Sequence, residues 1–225
     1  MSRIAIALVA AAVVACSSTP PPPDWQMNAK SSLERATAAY LSGNSRIEVV
    51  EFARVRADLA RTGRPDLVAR AELARCAARV ASLEFDECPG YQAVERDAAA
   101  PERAYAAYLR GTLPAADGAL LPEPQRAALT GNAAADSLAR IADPLSRLVA
   151  AGVLLRSGKG DPAAFALATD TASAQGWSRP LMAWLNVRVQ RADAAGEAEE
   201  AARLRRRIRL VLDGTGPPAA PRTAN

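Results

Sequence analysis

The side chains best suited to catalysis in this chain are acidic. There is no histidine, which removes the commonest general base near neutral pH and excludes a Ser-His-Asp or Cys-His arrangement. Four carboxylates lie in or near a long connection between predicted helices: Glu84, Asp86, Glu87 and Glu95. Paired carboxylates can cleave a glycosidic bond, so these residues are the candidates for an enzyme acting on peptidoglycan. Their spacing is equally that of solvated loop charges, so we assign no catalytic residue and expect no cofactor and no metal.

The densest group of basic side chains lies near the C-terminus: Arg203, Arg205, Arg206, Arg207 and Arg209. On a helix these residues surround the solvent side of a stripe formed by Leu204, Ile208 and Val211. Two interpretations are open. The arginines either form a solvated surface that complements the helix dipole, or they contact anionic lipid, lipopolysaccharide or an acidic partner. Elsewhere both signs of charge are mixed and the net charge is only +4, so we expect no nucleic-acid partner.

An apolar leader opens the chain. Residues 4–15 are uninterrupted by any charge and follow Arg3. As a helix this run would span about 18 Å, too short to cross a hydrocarbon core of roughly 30 Å. We therefore interpret residues 1–15 as a signal peptide and not as a membrane-spanning helix.

The leader ends in the sequence VVAC at Cys16, which resembles the lipobox of bacterial lipoproteins. This resemblance implies that cleavage follows Ala15 and that Cys16 is acylated, which would anchor the protein firmly to a membrane. Ser17 in the next position implies the outer membrane, with the domain facing the periplasm. Residues 16–27, which include four consecutive prolines, then form an extended tether. The alternative is an ordinary signal peptide in which the cysteine is coincidental.

The two remaining cysteines, Cys76 and Cys88, are predicted to form a disulfide. An even pair in an oxidising compartment favours pairing. Cys76 lies about 12 Å before the predicted helix end near Glu84, and the segment from there to Cys88 spans at most about 14 Å, so the sulfurs can meet if the chain folds back. Two separate buried cysteines are the alternative, because Cys76 also lies on an apolar stripe.

Composition and helix punctuation predict that residues 28–213 form an all-α domain. The sequence is rich in alanine and poor in β-branched residues, and apolar residues recur every third or fourth position. One such predicted stripe consists of Val49, Phe52, Val55 and Leu59. Asp143 and Pro144 suit the N-cap and first position of a helix, so a break or kink is expected there. Residues 214–225 are predicted to be a disordered tail.

The chain also contains a short internal sequence repeat. Residues 34–44 read ERATAAYLSGN and residues 102–112 read ERAYAAYLRGT, so eight of eleven positions are identical. The two segments are 68 residues apart, which is twice the length of a tetratricopeptide repeat of about 34 residues.

Residues 196–201, GEAEEA, resemble the turn and second-helix start of a tetratricopeptide repeat, with Ile208 at a later packing position. Gly43, with Phe52 and Val55, is a second match. The resemblance implies an irregular array of helical hairpins, or tetratricopeptide-like α-solenoid, with a concave binding face. An irregular helical bundle is the alternative architecture.

From these features we expect a non-enzymatic scaffold that is held to the outer membrane by its N-terminal lipid and binds an envelope protein. Two alternatives remain: an envelope enzyme or enzyme cofactor that acts on peptidoglycan through acidic residues, and a structural spacer without a specific partner.

Overall fold

The computed structural model describes residues 21–129 and 134–215, and within these residues every regular element is a helix. The signal peptide, Cys16 and the tail beyond residue 215 lie outside the described residues. Two 3-10 helices, Glu95–Asp97 and Ala115–Leu120, accompany eleven α-helices. The α-helices are α1 (Asp24–Leu41), α2 (Ser45–Ala60), α3 (Pro65–Ala81), α4 (Pro89–Gln92), α5 (Ala100–Arg110), α6 (Glu123–Leu129), α7 (Ala134–Ala139), α8 (Pro144–Arg156), α9 (Pro162–Ala174), α10 (Ser178–Ala194) and α11 (Ala198–Thr215).

Local capping explains where two central helices begin. Asp143 and Asp161 each accept a hydrogen bond of 2.7 Å from the backbone N–H three residues further on. Each aspartate is followed by a proline, Pro144 or Pro162, whose fixed φ suits the first helical position. The predicted break at Pro144 is confirmed, because α7 ends at Ala139 and α8 starts anew.

Both ends of the predicted helical domain extend further than expected. Helix α1 begins at Asp24 rather than at residue 28, so its first turn includes four residues that were predicted to belong to the tether. Asp24 favours this start, since a carboxylate in the first turn complements the helix dipole. Helix α11 likewise continues to Thr215, beyond the predicted boundary at residue 213.

The main core forms around α3, α8, α9 and α10. Consecutive helices pack in adjacent pairs, most extensively α1 with α2 and α10 with α11, while α3 also packs along α8. Gly152 of α8 lies so close to the carbonyl oxygen of Val80 that a side chain at this position would collide with it. Trp184 is fully buried and donates a hydrogen bond of 3.1 Å from its indole N–H to the carbonyl of Ala81. No helix within the described residues is long and apolar enough to cross a membrane.

The two similar segments, residues 34–44 and 102–112, lie in different environments. Glu34 is exposed on α1, whereas Glu102 is buried on α5 and forms an ion pair with Arg70. Helix α1 pairs with the next helix, but α5 packs on α3 and α8. The adjacent pairs agree with a hairpin arrangement, while the α3–α8 contact reaches beyond neighbouring hairpins, so a regular solenoid is not established.

Candidate functional site

Helix α11 carries the predicted arginine cluster, and the structure divides it into two groups. Arg203 forms an ion pair with Glu200 at 2.5 Å, and Arg205 forms one with Asp193 at the same distance. These two guanidinium groups are therefore already neutralised by α10 and α11 themselves. The Arg205 pair joins α11 to α10, the Arg203 pair lies within α11, and both arginines are poor candidates for binding an external anion.

The other three arginines, Arg206, Arg207 and Arg209, form no ion pair within the part of the chain that the structure describes. They lie around Leu210, which is 74% exposed. No other large apolar residue in the described part of the chain is as exposed. Leu204, about 120° away around the helix, is buried against the core. The solvent side of α11 therefore combines unneutralised positive charge with an exposed leucine. We call Arg206, Arg207, Arg209 and Leu210 the α11 basic face.

Helix α2 has a second surface, which the sequence analysis missed. Phe52, Val55 and Leu59 are buried as predicted, but Val49 is not part of this stripe: it is 57% exposed, and Glu48 takes the buried position. Spacing explains the correction, because residues 48, 52, 55 and 59 follow the 4-3-4 pattern of one helix face, whereas position 49 lies about 100° away. Ile47 and Val50 are also about half exposed. Helix α2 thus buries two carboxylates beside its apolar stripe and leaves Ile47, Val49 and Val50 exposed.

Two arginines from neighbouring helices compensate the buried carboxylates of α2. Arg75 of α3 donates a hydrogen bond of 2.6 Å to Glu48, and its guanidinium lies 4.6 Å from the ring centre of Phe52. Arg35 of α1 donates a hydrogen bond of 3.0 Å to Glu51. This hydrogen bond lowers the pKa of the Glu51 carboxyl. Charge pairing makes the burial tolerable and fixes the rotation of α2 about its axis.

A further buried glutamate, Glu72 of α3, lies between α2 and α4. It forms an ion pair with Arg56. Burial raises the pKa of Glu72, and the nearby arginines oppose this effect. Gly90 of α4 packs directly against the carboxylate, where any larger residue would collide with it. The arrangement serves packing of α4 onto α3.

The structure joins Cys76 and Cys88 by a disulfide, with their Cα atoms 5.7 Å apart. Asp86 stabilises the intervening loop by accepting a hydrogen bond of 2.9 Å from the backbone N–H of Cys88, which has a positive φ of 50°. Arg79 forms an ion pair with Asp86 at 3.2 Å. The disulfide therefore ties the start of the long connection back onto α3.

The same loop brings together three atoms of a kind that can bind a metal ion. These atoms belong to Cys76, Asp86 and Cys88 and lie within 4.8 Å of one another. Metal-binding cysteines act as thiolates. The sulfur atoms here are bonded to each other, so the disulfide form offers a cation only the carboxylate of Asp86, which Arg79 already occupies. The chemistry of this donor set does not favour a metal centre.

The four acidic residues considered for catalysis are all engaged with arginines. Their closest ion-pair distances are 3.2 Å for Glu84 with Arg179, 3.2 Å for Asp86 with Arg79, 3.8 Å for Glu87 with Arg156 and 3.9 Å for Glu95 with Arg110. These contacts attach the connection to α3, α5, α8 and α10. The closer contacts give Glu84 and Asp86 a structural role.

Two surfaces of the described residues are thus candidates for binding: the α11 basic face and the outer side of α2. Comparisons with protein-family models, with curated proteins and with solved structures gave no match. The function of the chain must therefore be inferred from the chemistry of these two surfaces.

Proposed function

We propose that this chain is a non-catalytic, lipid-anchored helical scaffold, held on the periplasmic side of the outer membrane by an acylated Cys16, where it binds an envelope protein. In this proposal the α11 basic face rests on the anionic membrane surface and orients the domain. The observation that carries the proposal is the set of three unneutralised arginines around the exposed Leu210.

Free guanidinium groups favour an anionic lipid surface by about 1 kcal/mol for each arginine at the surface, so three of them supply orientation beyond what the anchor provides. Leu210 distinguishes a lipid surface from a purely ionic partner. An exposed leucine can enter the headgroup region while the long arginine side chains extend to the phosphates. The acyl chains provide attachment, and α11 decides which side of the domain faces the lipid.

The architecture supports a scaffold. Helical hairpins such as α1–α2 and α10–α11 are the units from which tetratricopeptide-like arrays are built, and such arrays present extended surfaces to partners. We propose that the chain is a degenerate member of this class of fold. The pairing of Glu84, Asp86, Glu87 and Glu95 with arginines favours this function over carboxylate catalysis on peptidoglycan.

The membrane contact can be tested with lipid vesicles and the full chain carrying Cys16→Ser, so that no acyl group contributes. We expect it to sediment with vesicles containing phosphatidylglycerol and not with vesicles of phosphatidylcholine alone. The triple variant R206Q/R207Q/R209Q should bind at least about tenfold more weakly. The matched control R96Q/R126Q/R140Q removes three exposed arginines elsewhere and should bind like the parent. Equal loss in both triple variants would mean that only net charge matters and would refute the α11 basic face.

The anchor requires a separate measurement. Mass spectrometry of the mature protein from membranes should find Cys16 at the N-terminus with its added acyl mass, and fractionation should recover the protein with the outer membrane. An intact N-terminus, or a mature protein with an unmodified Cys16, would contradict the lipid anchor without affecting the vesicle result.

A further inference from the structure

We infer that a cleft between α5 and α8 binds a single-chain aliphatic carboxylate, a molecule of the fatty-acid class. In this arrangement the aliphatic chain lies between the helices and the carboxylate meets the ammonium group of Lys159. The inference concerns a small-molecule site, and it depends neither on the α11 basic face nor on the anchor at Cys16.

The cleft has a volume of about 500 Å³, and small-molecule sites usually have volumes of roughly 300–1,000 Å³. Its walls come from α5, α6, α8 and the segment that follows α5. They include the apolar residues Leu113, Ala128, Ala150, Val153 and Leu154. This lining suits an aliphatic chain better than a sugar or a nucleotide, because the many polar groups of those molecules would be left without partners.

The polar part of the lining is concentrated near the C-terminal end of α8. Ala150, Val153 and Leu154 line the cleft first, and Ser157 and Lys159 follow them. The rise from Ala150 to Ser157 is about 10 Å along the helix axis. A molecule that lies along α8 therefore meets aliphatic side chains over most of its length and an ammonium group at one end, which is the polarity of a fatty acid.

Lys159 carries the only charge among the described residues that line the cleft. Its ammonium group forms no ion pair within the described part of the chain. The nearest acidic residue in the sequence, Asp161, instead accepts a hydrogen bond of 2.7 Å from the backbone N–H of Ala164. Near the end of α8, the carbonyl groups of Val153, Leu154 and Leu155 each accept a hydrogen bond from a backbone N–H. The ammonium group is therefore available to an external anion.

Tyr108 of α5 adds a second polar group to the lining. It is only 3% exposed, and its hydroxyl forms no hydrogen bond with another described residue. Burial raises the pKa of Tyr108, so the hydroxyl keeps its proton and can donate a hydrogen bond to a carboxylate. Tyr108 lies one turn before Gly111, where an added β-carbon would be 3.7 Å from that of Ser157. Tyr108 thus belongs to the same end of the cleft as Lys159.

The other copy of the repeated segment shows that this cleft depends on packing. Tyr40 in residues 34–44 corresponds to Tyr108 in residues 102–112. The guanidinium of Arg179 lies 4.4 Å from the ring centre of Tyr40, and the space beside this ring is only about 10 Å³. Nearly the same helix sequence therefore packs tightly in one place and lines a cleft in the other, because different helices meet it.

A further cleft, between α1, α2 and α3, provides a contrast in charge. Its volume is about 340 Å³. Its three cationic residues are all paired: Lys30 with Glu34, Arg64 with Asp66 and Arg70 with Glu102. Lys30 is also the only other lysine in the chain, so it serves as the matched control for Lys159.

The test compares octanoate with octanol, which have the same aliphatic chain and differ in charge. Isothermal titration calorimetry with the full chain carrying Cys16→Ser, below the micelle concentration, should show a single octanoate bound per chain. Lys159→Gln should weaken octanoate binding about threefold to fivefold and leave octanol binding unchanged, since only the carboxylate meets the ammonium group. Lys30→Gln should bind both ligands like the parent. Added salt should weaken the binding of octanoate but not of octanol.

The aliphatic part of the cleft needs its own measurements. Each further CH₂ group that is buried should tighten binding roughly fourfold, so hexanoate should bind about tenfold more weakly than octanoate. Ala128→Phe fills the cleft from α6 and should weaken both octanoate and octanol at least about tenfold. Ala163→Phe, at an exposed position of α9, is the control for added bulk and should bind like the parent.

Tyr108→Phe keeps the ring and removes the hydroxyl, so it should weaken octanoate about threefold. Tyr105→Phe is its control, because this ring stacks on Tyr108 but lies outside the described lining. Circular dichroism and thermal melting establish whether each variant keeps the parent fold. If Ala128→Phe does not, the nearly isosteric Tyr108→Phe and the exposed Lys159→Gln still test the site.

Equal effects of Lys159→Gln and Lys30→Gln on octanoate, or equal affinities for hexanoate and octanoate, overturn the inference. So does the binding of many octanoate molecules per chain that Ala128→Phe leaves intact, because a surfactant adsorbed on the surface behaves in this way. The triple variant R206Q/R207Q/R209Q should bind octanoate like the parent, so failure of the α11 basic face and failure of this cleft are distinguishable.

Discussion

The Nε of Arg179 donates a hydrogen bond of 2.8 Å to the carbonyl oxygen of Tyr40, which lies 139 residues earlier in the chain. The same guanidinium is centred 4.4 Å from the ring of Tyr40 and donates a hydrogen bond of 2.7 Å to the hydroxyl of Ser45. It also forms an ion pair with Glu84 at 3.2 Å. One side chain of α10 thus contacts the end of α1, the start of α2 and the loop after α3, and joins the N-terminal hairpin to the main core.

Replacing Arg179 should therefore destabilise the attachment of this hairpin. We expect Arg179→Ala to lower the free energy of unfolding by about 1.5–3 kcal/mol, because charge-assisted hydrogen bonds are lost and a carbonyl is left without its donor. Arg179→Lys should recover only part of the loss, since an ammonium group cannot reach three acceptors in one plane. Urea denaturation measures both variants. An unchanged midpoint in Arg179→Ala would show that other contacts hold the hairpin.

The disulfide should contribute to stability because it restricts the unfolded chain. Reduction of Cys76–Cys88 is expected to cost up to about 3 kcal/mol, the value for a loop of this size. Thermal melts with and without a reducing agent test this, after peptide mapping under non-reducing conditions has verified the bond. The variant Cys76→Ala/Cys88→Ala provides the control, since its melting temperature should not respond to the reducing agent. If the melting temperature of the parent protein also did not respond to the reducing agent, the disulfide would not stabilise the fold.

Gly152 should be irreplaceable in the contact between α8 and α3. A methyl group there meets the backbone of Val80, so we expect Gly152→Ala to lower the free energy of unfolding by about 1–3 kcal/mol, although alanine is the better helix former. Gly214→Ala is the matched control, because an added methyl group at this helical position meets nothing within 4 Å among the described residues. The control should be neutral or slightly stabilising. Equal stability of both variants in denaturant would disprove the close α3–α8 contact.

Glu51 should make stability depend on pH. The hydrogen bond from Arg35 lowers the pKa of Glu51 below its ordinary value of 4.5 in the folded protein. The contribution of the carboxylate is thus fully present above pH 4.5 and is lost as the pH falls through the lower folded-state pKa. Glu51→Gln should be less stable than the parent at pH 7, and the difference should shrink in acid. Glu34→Gln, at an exposed position, should show no such trend in denaturation curves measured across this range.

Local features of the helices could be predicted from the sequence because their causes lie within a few residues. The N-cap aspartates Asp143 and Asp161 and the prolines after them determine helix starts by bonding to their own first turn. Periodic apolar residues such as Phe52, Val55 and Leu59 likewise identify the buried side of α2 from spacing alone.

The acidic residues inside the domain could not be predicted in the same way. Glu48 lies at a periodic core position, but its burial is tolerable only because Arg75 reaches it from α3. That partner is 27 positions away in the chain, and no sequence pattern within α2 predicts the contact. Burial of a charge depends on its neighbours in space, and Arg75 is the neighbour that lets Glu48 take the buried position.

The chain's own sequence therefore determines its all-helical character, the breaks between helices and the positions of its charges, because hydrogen bonding within a turn and side-chain periodicity are local. The tertiary structure alone decides which arginines pair across helices, as Arg205 does, and which form no ion pair within the described residues, as Arg206 and Arg209 do. The reason is that an ion pair requires two groups to meet in space, and only the packing of α10 against α11 brings Asp193 to Arg205.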